Sequence, residues 1–153
     1  MKLSCQQLLD CSQEYGNYGC NGGWMDASFY YVQDNGITSD EQYPYTAKSE
    51  KCKYDPSMKV FQNSGCAHVP ANTTVALQSA LAKQPVAGAI DASSRDFQMY
   101  SSGVFTGSCT TRVNHGMAIT GYGTLDGKDY WKCKNSWGKD WGDHGYILLE
   151  RDG

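Results

Sequence analysis

Residues 131–146, WKCKNSWGKDWGDHGY, constrain the fold of this chain more than any other stretch. The segment carries three Trp, three Gly and one Tyr around the pair Asn135-Ser136. A strand interior does not need so many glycines, and an ordinary loop does not need so many aromatic side chains. The pattern predicts a strand that ends at Asn135, followed by tight turns and by aromatic packing that holds the Asn side chain still.

Helical signals dominate the sequence before residue 69. Ser4-Cys5-Gln6-Gln7 is typical of a capping box and predicts a short helix over residues 5–11. Residues 15–23 are rich in Gly and Asn and predict a loop. Residues 24–35 place apolar side chains at helical spacing, and Gly36 is typical of the position just after a helix.

Strand patterns dominate the sequence after residue 69. Asn72 or Thr73 can cap a helix over residues 75–83, which Pro85 would end. The predicted strands are residues 86–90, 103–106, 116–122, 130–134 and 146–151. The sequence therefore predicts an α+β chain with a helical part, residues 1–68, and a mostly antiparallel β-rich part, residues 69–153.

Charge and hydropathy exclude several partners. The chain has 13 basic and 16 acidic residues, a net charge of −3, and no Lys/Arg cluster that would contact phosphates. No apolar run approaches the roughly 20 residues of a membrane helix, and Gln6, Gln7 and Asp10 interrupt any signal-peptide core. We expect no nucleic-acid or membrane partner.

The seven cysteines indicate an oxidising compartment and leave at least one thiol without an internal partner. The sequon Asn72-Thr73-Thr74 fits the same compartment. A metal site is not expected, because there is no C-x2-C pair and His68, His115 and His144 are far apart in the sequence. No cofactor is expected either.

His115 and Asn135 form a candidate catalytic pair. His115 begins one β-run and Asn135 ends the next, so adjacent antiparallel strands could bring the two side chains together. The Asn oxygen would then fix the imidazole and leave its other nitrogen facing a nucleophile, with Trp137 covering the hydrogen bond. Taken alone, a histidine at a strand end is more often a structural residue.

The surrounding motifs favour the catalytic interpretation. LSCQQLLDC, GCNGG, YPY, QPV, VNHGMAITGYG and KNSWGKDWGDHGY follow one another in the order and spacing of the papain-like cysteine proteases, and the resemblance covers essentially the whole chain. It implies a two-lobed fold, here a partial helical lobe and an antiparallel β-barrel-like lobe. On this resemblance His115 is the catalytic histidine and Asn135 the residue that orients it.

The resemblance also implies a substrate cleft. Trp137 and Trp141 match aromatic residues that flank the catalytic pair, and Gly22 and Gly23 match glycines whose backbone pairs with an extended substrate. An apolar pocket would accept the residue two positions before the scissile bond. The implied substrate-binding residues are Asn21, Gly22, Gly23, Trp24, Met25, Ala89, Val113, Asn114, Gly116 and Trp137.

The nucleophile of the family is not found among the seven cysteines. It lies in a C-G-[SA]-C-[WY] motif about 130 to 150 residues before the His and Asn, and that count reaches back before Met1. We therefore expect a truncated chain that lacks the nucleophile, the oxyanion-hole Gln and the extreme C-terminus. Asn114 stands where the family more often has Asp, which removes a negative charge beside His115.

The resemblance implies one internal disulfide, between Cys11 and Cys52. Cys20 would pair with a cysteine before Met1, and Cys109 with one after Gly153. Three further cysteines have no partner in the family pattern: Cys5, Cys66 and Cys133.

These observations predict a papain-like cysteine endopeptidase, truncated and inactive alone, that acts as a monomer on polypeptides. The substrate would carry a hydrophobic residue two positions before the scissile bond. The full-length enzyme would be lysosomal, vacuolar or secreted. The alternative is a non-catalytic pseudo-enzyme or peptide-binding module that keeps the cleft without the nucleophile. A small disulfide-rich structural domain is disfavoured by the unpaired cysteines.

Overall fold

The computed structural model describes residues 1–151. The chain divides into two compact units, Met1–His68 and Val69–Gly153, and each unit has its own apolar core. Within the described residues, no helix is both long enough and apolar enough to cross a bilayer.

The first unit is helical. Its α-helices are α1 (Cys5–Cys11) and α2 (Met25–Asn35), and its 3-10 turns are Gln13–Tyr15, Gly19–Asn21 and Pro56–Met58. Helix α2 begins one residue later than predicted, because Trp24 has an extended backbone and serves as the N-cap. Gly36 follows the helix with a φ of 80°, a conformation that side chains disfavour and glycine tolerates.

The predicted capping box forms only in half. The Ser4 hydroxyl accepts a hydrogen bond from the Gln7 amide at 2.9 Å. The amide of Ser4 donates to the carbonyl of Thr38, so the Gln7 side chain has no capping role. That side chain is fully buried instead, donates to the Tyr31 hydroxyl and the Gly36 carbonyl, and accepts from the Thr38 amide. Gln7 thus joins α1 to α2 and to the segment after it.

The apolar core of this unit is small, and one disulfide reinforces it. Tyr31, Val32 and Ile37 are buried, and the side chains packed on them are those of Leu3, Leu8, Cys11 and Tyr15. Cys11 is bonded to Cys52, 41 residues away, with a Cα–Cα distance of 4.9 Å. The predicted pairing is confirmed.

The second unit contains a five-stranded sheet. Its strands are β1 (Val86–Ile90), β2 (Val104–Phe105), β3 (His115–Leu125), β4 (Lys128–Lys134) and β5 (Tyr146–Glu150). They lie in the order β1-β3-β4-β5-β2, with antiparallel pairing except between β5 and β2, which are parallel. The expected antiparallel barrel-like lobe is therefore an open mixed sheet. Strand β2 has only two residues, too few for side-chain alternation to indicate its direction.

Two helices accompany this sheet, α3 (Thr74–Leu81) and α4 (Arg95–Gln98). Helix α3 ends two residues before the predicted position. The amides of Lys83 and Gln84 both donate to the carbonyl of Ala80, which tightens the last turn ahead of Pro85. Thr73 rather than Asn72 is the N-cap, although its side chain makes no capping hydrogen bond.

The core of the second unit lies on one face of the sheet. Phe97 of α4 is 1% exposed and Ile147 of β5 is fully buried, and the other buried members are Ala92, Tyr100, Met117 and Cys133. The Phe97 ring meets the rings of Phe105 and Trp137 edge to face, at 5.9 and 5.6 Å. Helix α4 thereby ties the sheet to the aromatic segment that follows Asn135.

The Cys11–Cys52 bond closes a loop of 41 residues over a small core. In the chain-entropy model such a loop restricts the unfolded chain by about 4 kcal/mol. We expect the double substitution Cys11→Ser/Cys52→Ser to lower the free energy of unfolding by about that amount, measured by urea denaturation. Cys66→Ser, which breaks no bond, is the control. An equal effect of both changes would contradict the assignment.

Candidate active site

The pairing of β3 with β4 determines where His115 and Asn135 meet. Ala118 lies opposite Lys134, and continuing that register places Asn135 opposite Met117. His115 is two residues from Met117, and residues two apart along a strand face the same side of the sheet. The two candidate side chains are therefore diagonal neighbours on one face.

The predicted contact between them is present. The Nε2 atom of His115 and the Oδ1 atom of Asn135 are 2.7 Å apart. The same Oδ1 accepts from the backbone amide of Ser136 at 2.7 Å, which fixes the side-chain oxygen toward the ring. Since Oδ1 can only accept, Nε2 carries the proton, and in the neutral ring Nδ1 is the free base. Sequence reasoning missed the contribution of Ser136, because a backbone amide has no sequence signature.

Aromatic side chains cover this pair. The Trp137 ring lies 5.0 Å from the His115 ring, centroid to centroid, and 5.2 Å from the Trp141 ring. The indole nitrogen of Trp141 donates to the carbonyl of Gln98 at 3.0 Å, which anchors the cluster on α4. Trp137, itself 41% exposed, therefore packs against the imidazole of the partly buried His115.

The glycines of this segment occupy positions where the backbone has a positive φ. Gly138, Gly142 and Gly145 have φ values of 91°, 58° and 89°. A Cβ atom on Gly142 would lie 2.5 Å from the carbonyl oxygen of Tyr146. The turns that return the chain from Asn135 to β5 therefore need glycine, as the sequence pattern predicted.

Five of the predicted substrate-binding residues lie in the first unit, at residues 21–25. Asn21 ends a 3-10 turn, Trp24 is 57% exposed and Met25 begins α2. The amide of Gly22 donates to the Gly19 carbonyl, and its carbonyl accepts from the Tyr18 amide. The backbone groups of Gly22 are thus already paired.

Gly23 differs from its neighbour. Its amide and carbonyl have no hydrogen-bond partner in the part of the chain that the structure describes. A Cβ atom on Gly23 would lie 2.1 Å from Oδ1 of Asn17, which itself accepts from the Trp24 amide. Of the two glycines, only Gly23 presents free backbone groups, and any side chain there would disturb the loop.

The remaining predicted residues lie in the second unit. Ala89 on β1 is paired with Gly116 on β3, beside His115. Val113 is 44% exposed. Asn114 is hydrogen-bonded to the residues after β1, among them Asp91, which the sequence analysis did not single out. The sequence did contain a signal for Asp91, because the Asp-x-Ser spacing at residues 91–93 is typical of a turn in which the Asp side chain accepts from the backbone two residues on.

The free thiols are poor candidates for a nucleophile. In the described residues, the side chain of His115 forms no hydrogen bond except the one to Asn135. Cys133 shares the sheet with His115, but it is 2% exposed, and burial raises the pKa of its thiol to about 12. Cys5, Cys20 and Cys109 are exposed and Cys66 is partly buried, and none of the four is disulfide-bonded within residues 1–151.

Comparison with known families decides the identity of the fold. The sequence profile described as "Papain family cysteine protease" matches residues 1–153. The chain belongs to the papain family of cysteine proteases. The predicted resemblance is confirmed, and with it the papain-like α+β fold.

Individual relatives agree. The chain is 46% identical to zingipain-2 of Zingiber officinale, covering 99% of this chain and 68% of the relative. It is 50% identical to vignain of Phaseolus vulgaris over 98% of this chain and 42% of the relative. For cathepsin S of Mus musculus the identity is 50%, over 99% of this chain and 46% of the relative. The chain thus spans less than half the length of two of these three proteins.

One solved structure matches nearly all of the chain. It is described as the structure of digestive procathepsin L 3 of Tenebrio molitor larval midgut, and the TM-score is 0.90 at 43% identity. The match covers 99% of this chain and 50% of that structure.

Burial should separate Cys133 from the other free thiols. A thiol reacts as its thiolate, and with a pKa of about 12 only about one Cys133 side chain in 10⁴ is ionised at pH 8. We expect N-ethylmaleimide at pH 8 to label Cys5, Cys20 and Cys109 while Cys133 stays unmodified, as read by peptide mass spectrometry. Labelling in guanidinium chloride should make Cys133 reactive. Equal rates for Cys133 and Cys109 in the folded chain would contradict this assignment.

Proposed function

We propose that this chain supplies the acid–base and substrate-binding parts of a papain-like cysteine endopeptidase. The observation that supports this best is the hydrogen bond from Nε2 of His115 to Oδ1 of Asn135, 2.7 Å long, beneath Trp137. It fixes both the orientation and the tautomer of the ring. Nδ1 is then the atom available to a nucleophile.

His115 acts first as a base and then as an acid. Nδ1 takes the proton of a cysteine thiol, and the thiolate attacks the peptide carbonyl to form a tetrahedral intermediate. The imidazolium then gives that proton to the departing amine, which leaves an acyl-enzyme. Water, deprotonated by His115, attacks the thioester and releases the acid product. Asn135 keeps the ring oriented through both proton transfers.

The nucleophilic cysteine comes from a C-G-[SA]-C-[WY] segment that the whole enzyme carries before residue 1. No such motif occurs in this sequence, and Cys133 is buried and protonated. The chain by itself is therefore inactive. Within residues 1–151, His115 and Asn135 form the acid–base pair, and no reactive thiol lies beside them. This favours an active site whose nucleophile comes from a different segment of the enzyme.

Substrate binding uses the backbone of Gly23 and a group of apolar residues. The amide and carbonyl of Gly23 have no partner within residues 1–151, and they suit an extended peptide, which needs one acceptor and one donor at each paired residue. The apolar side chains favour a hydrophobic residue two positions before the scissile bond. The apolar residues proposed to contact the substrate are Trp24 and Met25 in the first unit, and Ala89, Val113 and Gly116 in the second.

The whole enzyme is a monomer that acts on polypeptides in a lysosomal, vacuolar or secreted location. The disulfide between Cys11 and Cys52 supports an oxidising compartment, since such bonds are rare in the reducing cytosol.

The test is to restore the missing segment. The chain is expressed as it stands, and also extended at its N-terminus with the C-G-x-C-W-bearing segment of a papain-family relative. We expect only the extended chain to cleave a fluorogenic dipeptide with a hydrophobic second residue, at pH 5 to 7 with a reducing agent. In it, His115→Ala should lower kcat/KM by about 10²- to 10⁴-fold. Asn135→Ala, which frees the ring, should lower it by about 10²-fold.

The control is His68→Ala, which removes an exposed histidine and should leave turnover unchanged. Turnover by the unextended chain, abolished by a thiol alkylator and by His115→Ala, would show that one of its own cysteines is the nucleophile. An extended chain that binds a peptide aldehyde but never cleaves a peptide would favour the non-catalytic binding module instead.

A further inference from the structure

A buried carboxylate lies beside the start of β3. Asp91 follows β1 directly and is 7% exposed. Its Oδ1 accepts from the amide of Ser93 at 3.0 Å and from the Ser93 hydroxyl at 2.5 Å. Its Oδ2 accepts from the amide of Thr110 at 3.1 Å and from the Thr110 hydroxyl at 2.6 Å. A carboxylate with this many donors is held in one position.

The same carboxylate reaches the residue before His115. Nδ2 of Asn114 lies 3.3 Å from Oδ1 of Asp91, and Oδ1 of Asn114 accepts from the amide of Ala92 at 2.9 Å. The amide of Asn114 donates to the carbonyl of Ile90 at 2.9 Å. Three hydrogen bonds therefore join Asn114 to residues 90–92.

These bonds lie just beyond the end of the β1–β3 ladder. Ile90 is paired with His115, and this is the last rung of the ladder on that side. Strand β1 is at the edge of the sheet. His115, the first residue of β3, therefore pairs with the last residue of a short edge strand, and the ladder has no further rung beyond it. Terminal rungs fray most easily. The bonds from Asp91 to Asn114 and Thr110 clamp the chain at this point.

Charge explains the amide at position 114. Asn114 directs its Nδ2 donor at the Asp91 carboxylate and its oxygen at the Ala92 amide, which satisfies both partners. An aspartate at 114 would instead bring two carboxylates to about 3.3 Å. Like charges so close cannot both ionise without a large shift in pKa.

The carboxylate stays ionised over the working range of pH. Hydrogen bonds from the Ser93 hydroxyl, and then from Thr110, hold the pKa of Asp91 well below its usual range. A lowered pKa means that the bonds made by the ionised form persist down to pH values below about 4, the ordinary pKa of an aspartate. Acidification to pH 5 would leave the clamp intact.

We infer that Asp91 is a positioning residue: through Asn114 and Thr110 it fixes the segment 110–114, and with it the ring of His115. The role of that ring in catalysis rests on the proposed function. The hydrogen bonds that form the clamp do not depend on that proposal. Val113 lies in the same segment, so Asp91 also sets the position of a residue proposed to contact the substrate.

The test measures proton exchange at the His115 ring and does not require enzymatic turnover. In the ¹⁵N-labelled 153-residue chain, the Nε2–H proton of His115 is hydrogen-bonded to Asn135, and its exchange with water is measured by NMR. We expect Asp91→Asn to make that exchange about five- to tenfold faster, the effect of losing about one net hydrogen bond. The matched control is Asp10→Asn in the first unit. Asp10 is also a buried carboxylate, and it accepts from Gln6, Tyr43 and Glu50.

A swap of the two residues sharpens the test. Asn114→Asp alone should speed the exchange, because it sets two carboxylates together. The double change Asp91→Asn/Asn114→Asp restores one amide opposite one carboxylate and should recover part of the slow exchange. If Asp91→Asn prevents folding, Thr110→Val decides, since it removes one hydroxyl donor and keeps the side-chain shape.

The proposal is wrong if Asp91→Asn, or Thr110→Val in its place, leaves the His115 signal as it is in the unaltered chain. It is also wrong if Asp10→Asn changes that signal equally, because the effect would then be general destabilisation. Failure of the restored enzyme to cleave peptides would count against the proposed function only.

Discussion

One extra residue in β3 decides whether the candidate pair can form. Between Leu125 and Gly121 the strands β3 and β4 follow the register of their hairpin, with Gly121 opposite Lys132. Beyond a β-bulge the register shifts by one, and Ile119 lies opposite Cys133. The extra residue is Thr120, whose hydroxyl donates to the Lys132 carbonyl at 3.1 Å.

Without that shift, the hairpin register would place Asn135 opposite Ala118. Ala118 is three residues from His115, so the two side chains would point to opposite faces of the sheet. With the shift, Asn135 falls opposite Met117, on the face of His115, and the 2.7 Å hydrogen bond becomes possible. The same shift brings Cys133, Met117 and Ile147 into one core. Site and core therefore depend on a single local irregularity, which is a common use of bulges near functional sites.

Local signals accounted for much of the fold, and distant partners for what they missed. The helix end at Gly36, the strand end at Asn135 and the positive-φ glycines after it were readable, because each depends on a few adjacent residues. Three features could not be predicted from the sequence, because each depends on a segment far away in the chain. They are the β-bulge in β3, the direction of β2 and the buried hydrogen bonds of the Gln7 side chain. The hairpin between β3 and β4 had a readable signal in Asp126-Gly127, where both φ values are positive as in a type I′ turn.

The side chain of Asn135 combines a well-paired oxygen with a buried, unpaired amide nitrogen among the described residues. Its Oδ1 accepts two hydrogen bonds, while its Nδ2 is buried without a hydrogen-bond partner among the described residues. A buried donor left unpaired costs about 1 to 3 kcal/mol. An aspartate would remove that donor and still accept from both partners. It would also set a full negative charge against the ring, and so favour the imidazolium over the neutral base. A neutral amide orients the ring without adding that charge. In the proposed mechanism this suits His115, which both takes and returns a proton.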